Sequence, residues 1–177
     1  MAIDFDGIDD KIDYEDTWGA LTRFTCMFWM KAEAPFANLD GMVGKHIVDN
    51  GAFQVAHRDA IGTGMLAVFL PSGAGNGGET RTPSAFAVAD VWLHFAFTFD
   101  GNVTGDENRV HIFKDGAEVA TTQATASVPA TIQDSGSVVQ LGTYGRDSGV
   151  WDGQLAHVKM FSSTLTEWMI RNEMTHR

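Results

Sequence analysis

The sequence predicts an all-β domain with one short C-terminal helix. Apolar residues recur at every second position in most candidate segments, which is the spacing of a half-buried strand. Nineteen glycines stand beside only four prolines, a balance that favours many tight turns between short strands. Twelve phenylalanines and five tryptophans supply the large side chains that fill a core between two sheets.

The length and charge of the chain limit its class and its partners. A chain of 177 residues suits a single domain over residues 1–177, because one all-β sandwich commonly reaches this size. The formal net charge is −11, and so acidic a surface repels phosphate backbones, so we do not expect a nucleic acid as partner. The same acidity is compatible with a bound divalent cation.

Targeting signals are not recognisable in the sequence. The first residues lack a basic segment followed by a long apolar one, so we expect no signal peptide. No apolar run approaches the roughly 18–20 residues that span a bilayer. We therefore expect a soluble protein with no membrane partner. The sequence does not decide its localisation, and an extracellular or virion-associated protein remains open. An oligomer also remains open.

Two segments carry the strongest strand patterns. Residues 24–31 are apolar on both faces, so this strand should lie centrally with packed material on each side. Residues 92–99 form the second strong strand and end at Asp100-Gly101, where we expect a turn. The single cysteine, Cys26, cannot form an internal disulfide. It is either a small buried hydrophobe or a reactive thiol.

Shorter segments complete the predicted order. The same spacing predicts strands at residues 53–57, 65–70, 109–114, 117–120, 138–142 and 154–161. Asp115-Gly116 predicts a type I′ hairpin turn between two of these strands. The glycine-rich stretch at residues 71–83 is predicted to be a loop.

A short helix is predicted near residues 165–174. Thr164, followed three residues later by Glu167, fits a capping box at the start of this helix. The apolar side of the helix would be formed by Trp168, Met169 and Met174.

Seven short motifs occur in a characteristic order along the chain. They are F-D-G-x-x-D at residues 5–10, F-T-x-x-x-W-x-K at 24–31, G-M-V-G-K at 41–45, W-L-H-F-A-F-T-F-D-G at 92–101, V-H-I-F-K-D-G at 110–116, L-G at 141–142 and W-D-G-Q-L-A-H-V-K-M-F at 151–161. This order resembles that of laminin G-like domains in the concanavalin A-like lectin/glucanase superfamily. The resemblance implies a two-sheet antiparallel jelly-roll sandwich, concanavalin A-like, whose first and last strands are adjacent.

The resemblance also implies a metal site where the first and last strands meet. This place maps to Asp6 and Asp152 and would hold a structural Ca²⁺, which is bound by oxygen ligands. Many relatives carry an acidic pair in the closing strand, where this chain has Ala156 and His157. The alternative for the two aspartates is that they cap turns. No other cofactor is expected.

Two further acidic segments could be read as cation sites. The loop at residues 100–108 does not match the spacing of an EF-hand, so a solvated hairpin loop is the preferred interpretation. A second acidic run is expected to be hydrated surface, and it consists of Asp9, Asp10, Asp13, Glu15 and Asp16.

A ligand site is predicted in the loop that precedes the last strand. An aromatic face and a few polar groups are what a sugar requires, and these groups lie close together in a glycine-punctuated loop. Similar groups occur near residues 40–50 and 73–81. Core packing is the alternative for the last of the predicted ligand-binding residues, which are Tyr144, Arg146, Asp147 and Trp151.

The sequence does not predict an enzyme. Glucanases that resemble this chain carry two catalytic carboxylates in an E-x-D-x-x-E strand, and no such run occurs here. The six histidines are scattered and form no H-E-x-x-H zinc pattern. We expect a lectin-like module that binds a glycan. The alternative is a virion-surface or other structural protein that uses the sandwich for protein contacts.

Overall fold

The computed structural model describes residues 1–15, 18–34, 40–47, 50–58, 63–72, 77–125, 127–143 and 149–176. The strands are β1 (Ala2–Asp6), β2 (Ile12–Asp13), β3 (Arg23–Ala32), β4 (Gly41–Ile47), β5 (Asn50–His57), β6 (Leu66–Pro71), β7 (Gly77–Arg81), β8 (Leu93–Asp100), β9 (Val110–Lys114), β10 (Ala117–Val119), β11 (Thr122–Thr125), β12 (Gln140–Leu141) and β13 (Asp152–Phe161). One helix, α1 (Glu167–Thr175), follows the last strand.

The strands form two antiparallel sheets. One has six strands in the order β1-β13-β3-β8-β9-β10, and the other has seven in the order β11-β7-β6-β5-β4-β12-β2. The first and last strands pair with each other, as the resemblance implied. The two-sheet antiparallel jelly roll with one C-terminal helix is thereby confirmed.

Aromatic rings fill the space between the sheets. The ring of Phe24 in β3 lies 4.9 Å from that of Phe53 in the opposite sheet, and 5.7 Å from that of its neighbour Phe97. These centroid distances are typical of favourable aromatic pairs. Cys26 is fully buried in the same layer. Burial raises the pKa of its thiol far above the ordinary range, as expected of a small buried hydrophobe.

The central position predicted for residues 24–31 is confirmed. β3 lies between β13 and β8 in the middle of the six-stranded sheet. Its outward-facing Met27 is covered by Leu165 and by Ile170 of α1, which form a second small cluster with Ala96 and Phe113. The helix therefore closes one part of the outer face of this sheet. Among the described residues, no helix has the length and apolar character needed to cross a membrane.

The hairpin between β9 and β10 also follows the prediction. Asp115 has a φ of 50° and Gly116 a φ of 78°, and two successive positive values are the signature of a type I′ turn. The Asp115 carboxylate accepts a hydrogen bond from the backbone N–H of His94 at 2.9 Å. This aspartate therefore has a structural role.

The prediction of a loop at residues 71–83 is wrong in part. Within this stretch, Gly77–Arg81 forms strand β7, which pairs with β6 on one side and β11 on the other. A Cβ on Gly78 would lie 2.4 Å from the Val128 side chain. The glycine is therefore required by close packing and does not break the strand.

The start and the buried side of the helix also differ from prediction. The N-cap is Thr166, whose hydroxyl accepts a hydrogen bond from Met169 N, whereas the Thr164 hydroxyl donates to the carbonyl of Phe99. Ile170 is the buried residue of α1, while Trp168 is 72% exposed. Met174 lies one turn after Ile170 and is half-buried, whereas Met169 is 42% exposed, so the predicted apolar side is confirmed for Met174 and wrong for Trp168 and Met169.

Two buried histidines should make the fold sensitive to acid. Burial lowers the pKa of both His57 and His94 to about 4, whereas an unfolded histidine titrates near 6.5. The unfolded chain therefore binds more protons between these values, so the free energy of unfolding should fall as pH drops from 6.5 towards 4. Urea unfolding measures the fall in unfolding free energy between pH 7 and pH 5. This fall should be smaller in His94→Phe than in the wild type by roughly 1–3 kcal/mol. Parallel pH curves for the two proteins would contradict this assignment.

Candidate functional site

A row of large side chains crosses the outer face of the seven-stranded sheet. Successive side chains of a strand point to opposite faces, and Val55 and Val68 lie in the core. Their neighbours Gln54 and Phe69 therefore face outwards. Gln54 is paired with Phe69, and Phe69 with Glu79, in the register of β5, β6 and β7. This cross-sheet row spans roughly 10 Å, because neighbouring strands lie about 4.8 Å apart.

One end of the row carries a buried carboxylate between two arginines. Glu79 is only 2% exposed, while the side chains of Arg58 and Arg81 are 24% and 20% exposed. Arg58 donates from Nε to Oε1 at 2.7 Å and from Nη2 to Oε2 at 2.5 Å. Arg81 donates from Nε to Oε1 at 2.7 Å. We refer to these three residues as the arginine cluster.

The arginine cluster is held together by charge. Burial alone would raise the pKa of Glu79, but hydrogen bonds and charge from Arg58 and Arg81 outweigh that effect and lower it. The carboxylate therefore stays ionised, because hydrogen bonds from oppositely charged partners offset the free-energy cost of removing a charge from water. Two guanidinium groups and one carboxylate leave one net positive charge at this place.

Small residues surround the row on the same face. Ala56 pairs with Ala67, and Ala67 pairs with Arg81. Both alanines are nearly inaccessible although they point away from the core. Neighbouring side chains on the outer face therefore cover both alanines.

A second candidate site lies where the first and last strands meet. The carboxylate oxygens of Asp6, Asp9 and Asp10 lie within 4.8 Å of one another, and all three residues are exposed. Asp152 is opposite Asp6 in the strand register but does not belong to this group. Its side chain lies under Gly7, where a Cβ would be 2.9 Å from the Asp152 Cβ and where φ is +71°.

The oxygen donors of this acidic group suit a hard cation such as calcium. Asp6 also accepts a hydrogen bond from Ile8 N at 2.9 Å, and Asp10 accepts one from Asp6 N at 3.2 Å. These bonds form a compact turn, so Asp6 has the turn-capping role that was its alternative from the sequence. Sequence reasoning placed Asp9 and Asp10 in a merely hydrated surface run, because it could not foresee that the turn folds them back onto Asp6.

Only one of the four residues of the predicted sugar site, Trp151, is among the described residues. Tyr144, Arg146 and Asp147 lie outside the described residues. Trp151 is fully buried, and its ring lies 5.1 Å from the ring of His57. The indole therefore occupies the core position that was the alternative for it, and in this position it offers no face to a ligand.

The loop after β8 has its acidic groups engaged locally. The Asp100 carboxylate accepts hydrogen bonds from Asn102 N at 3.0 Å and from Arg23 Nε at 3.1 Å. These bonds, the one from Asn102 first, lower the pKa of Asp100. The arrangement fits the solvated hairpin loop that the sequence favoured.

Another cavity opens on the outer face of the six-stranded sheet. It has a volume of about 270 Å³ and is lined by Trp29, Trp92 and His157 together with Met1, Ala2 and Ala156. His157 has a φ of 50° at an irregularity in the pairing of β13 with β3. Ala156 and His157 thus line this cavity with the two tryptophans.

Sequence reasoning missed the arginine cluster. Glu79 and Arg81 lay within the stretch taken for a loop, although their spacing of two residues is a strand signal. Arg58 lies 21 residues before Glu79, and only the pairing of β5, β6 and β7 brings them together.

Replacing the buried carboxylate should weaken the fold. Glu79→Gln leaves two guanidinium groups without their anionic partner, so we expect a loss of about 2 kcal/mol in unfolding free energy. The difference should be full at neutral pH and disappear as pH falls through the lowered pKa of Glu79. Glu118→Gln is the matched control, since Glu118 bonds the half-exposed His111 and should cost less than about 0.5 kcal/mol. Equal losses in denaturant unfolding would contradict the structural importance of Glu79.

Solved structures with the same architecture come from carbohydrate-related and pentraxin proteins. A heptameric SAP-like pentraxin from Limulus polyphemus has a TM-score of 0.69 and 15% identity, over 96% of this chain and 79% of its own. The CBM40 of a Ruminococcus gnavus IT-sialidase, bound to α2,3-sialyllactose, has a TM-score of 0.65 and 16% identity over 97% of both chains.

A third similar structure is domain 4 of AbnA, a GH43 extracellular arabinanase from Geobacillus stearothermophilus, in complex with arabinotriose. It has a TM-score of 0.64 and 13% identity, over 92% of this chain and 71% of its own. Identities this low establish the fold alone. No curated protein matches the chain.

The family model covers nearly the whole sequence. A laminin G-type model of the concanavalin A-like lectin/glucanases superfamily matches residues 6–171. This match agrees with the seven motifs and with the two-sheet topology. The chain therefore belongs to the laminin G-like family of the concanavalin A-like lectin/glucanase superfamily.

Proposed function

We propose that this chain is a non-catalytic, lectin-like module that binds a glycan on the outer face of the seven-stranded sheet. The observation that carries the proposal is the cross-sheet row, where Gln54, the ring of Phe69 and the arginine cluster lie side by side. An aromatic face accepts the apolar side of a sugar ring, and the polar groups exchange hydrogen bonds with its substituents.

Two similar structures support a glycan as the class of ligand. The AbnA domain was solved with arabinotriose and the Ruminococcus gnavus CBM40 with α2,3-sialyllactose. We also propose Tyr144, Arg146 and Asp147 as ligand-binding residues, as the sequence predicts. Trp151 would anchor the chain that follows them in the core.

Binding without catalysis agrees with the electrostatics of Glu79. A glycosidase acid needs a carboxyl with a raised pKa near a second carboxylate. The two arginines lower the pKa of Glu79 instead, and both of its oxygens accept hydrogen bonds from them. Such a carboxylate positions its neighbours and is a poor proton donor.

Removing the aromatic ring from the row should weaken sugar binding. Phe69→Ala should lower the affinity for any glycan that binds the wild type about tenfold, because the apolar face of the sugar loses its partner. A glycan array followed by calorimetric titration measures the effect, and a melting curve checks the fold. Trp92→Ala is the control on the opposite sheet and should leave binding unchanged. The reverse result would move the site to the cavity at Trp29 and Trp92.

A second candidate function is assembly through protein contacts. Trp168 and Met169 are exposed on α1 and line a cavity of about 300 Å³ with Phe161 and Leu165, and exposed apolar patches mark protein contacts. A chain that binds no glycan on the array but forms a defined oligomer in light scattering would favour this second function.

We further propose that a structural Ca²⁺ binds where the first and last strands meet. Asp6 and Asp152 remain the proposed centre, with Asp9 and Asp10 as additional carboxylate ligands. Calcium bound there would relieve the repulsion among these carboxylates. The cation would thereby stabilise the junction of β1 and β13.

Calcium should therefore raise the melting temperature. A ligand that binds only the folded state at 100 times its Kd adds about 2.7 kcal/mol, which corresponds to roughly 5–10 °C for a domain of this size. Asp6→Asn should abolish the shift between calcium and chelator in differential scanning calorimetry. Asp4→Asn, an exposed change on the same strand, should keep it. An identical melting temperature in calcium and in chelator would remove the site.

A further inference from the structure

The arginine cluster presents unused hydrogen-bond donors to solvent. Glu79 occupies the Nε and Nη2 donors of Arg58 and the Nε donor of Arg81. Within the described part of the chain, Arg58 Nη1 and both Nη atoms of Arg81 make no hydrogen bond. Each guanidinium therefore keeps its terminal, two-nitrogen edge available for a ligand.

The exposed fractions of the three residues show that Glu79 lies deeper below the surface than the two arginines. Glu79 is almost completely buried, while about a fifth of each arginine side chain reaches solvent. A ligand that approaches the sheet thus meets the guanidinium groups before the carboxylate. Because the arginine cluster carries one net positive charge in a partly desolvated place, an anionic ligand is favoured over a neutral one.

The planarity of the free edges selects the kind of anion. A guanidinium edge and a carboxylate match in a bidentate arrangement of two parallel hydrogen bonds. Phe69 is paired with Glu79 in the register, so a sugar ring stacked on Phe69 would hold its substituents near the arginines. A carboxylate attached to that ring is the group that fits.

We propose that the glycan bound by this chain carries a carboxylate, as a sialic or uronic acid does, and that Arg58 and Arg81 bind it through their terminal Nη edges. Glu79 is a positioning residue that fixes both guanidinium groups from below. This inference rests on the proposed function and specifies its ligand. The one net positive charge of the arginine cluster would be neutralised by one sugar carboxylate.

The test compares matched probes on the full chain. Calorimetric titration uses α2,3-sialyllactose and a glucuronate-terminated disaccharide, each beside its carboxyl-reduced form, together with lactose and a sulfated galactoside. At least one carboxylated sugar should bind, and reduction of its carboxyl should weaken binding at least tenfold. Higher salt should weaken the carboxylated sugar more than its reduced form.

Variants test the residues. Arg81→Lys and Arg58→Lys keep a cation beside Glu79, so they protect the fold, but they lose the planar fork and should each weaken the carboxylated sugar at least tenfold. Arg81→Gln should weaken it further, with a melting curve to verify folding. Arg171→Lys on α1 is the matched control and should change nothing.

The outcomes separate this inference from the proposed function. If neutral and carboxylated probes bind equally, or the sulfated probe binds and the carboxylated ones do not, the carboxylate assignment fails while glycan binding stands. A carboxylate preference that survives all three arginine variants would overturn the assignment to Arg58 and Arg81. If no probe binds and the array is silent, the proposed function fails and the inference fails with it.

Discussion

The central strands β4, β5 and β6 of the seven-stranded sheet bury one face against the other sheet, and the candidate glycan site depends on this constraint. Phe53, Val55, Val68 and Leu70 belong to the buried set. Because side chains alternate, burying them commits the intervening residues to the outer face. A slip of one residue would bury the charged group and expose the core. The same force that holds the sandwich together therefore fixes which side chains remain for a ligand.

The arginine cluster adds a second constraint, which is electrostatic. A carboxylate as buried as that of Glu79 requires partners, since an uncompensated charge in this environment is expensive. Arg58 and Arg81 satisfy it with their Nε atoms and with one Nη atom. The bond directions then hold both guanidinium planes in place before any ligand arrives. Preorganisation of this kind reduces the entropy that a ligand must remove on binding.

Strands with a long alternating pattern could be predicted from the sequence, whereas a short glycine-rich strand could not. The strands over residues 24–31, 92–99 and 154–161 were predicted because each combines long period-two alternation with aromatic or branched side chains. β7 was missed because Gly77 and Gly78 look like breakers in a single sequence. Both sit where a side chain would collide, with Leu70 O in one case and Val128 in the other.

The site was less predictable than the fold for a geometric reason. Proximity along the chain suggested the loop that contains Tyr144, Arg146 and Asp147, whereas the arginine cluster combines two residues of β7 with one residue that directly follows β5. Their meeting depends on register and sheet order, which local sequence does not encode. Trp151 shows the complementary difficulty: an aromatic residue next to a loop serves the core as readily as a ligand, and only its burial distinguishes the two roles.

Net charge and local charge act on different steps of binding. A net charge of −11 opposes the approach of an anionic glycan over a distance of about one Debye length, which is roughly 8 Å at physiological salt. Contact with the guanidinium groups occurs at hydrogen-bond distance, inside that screening length. The global charge therefore slows the encounter with anions in general. The local positive charge stabilises only those anions that reach the arginine cluster in the right orientation. Repulsion from a distance combined with attraction at contact is a physical basis for specificity, because an anion that cannot form the close contacts experiences only the repulsion.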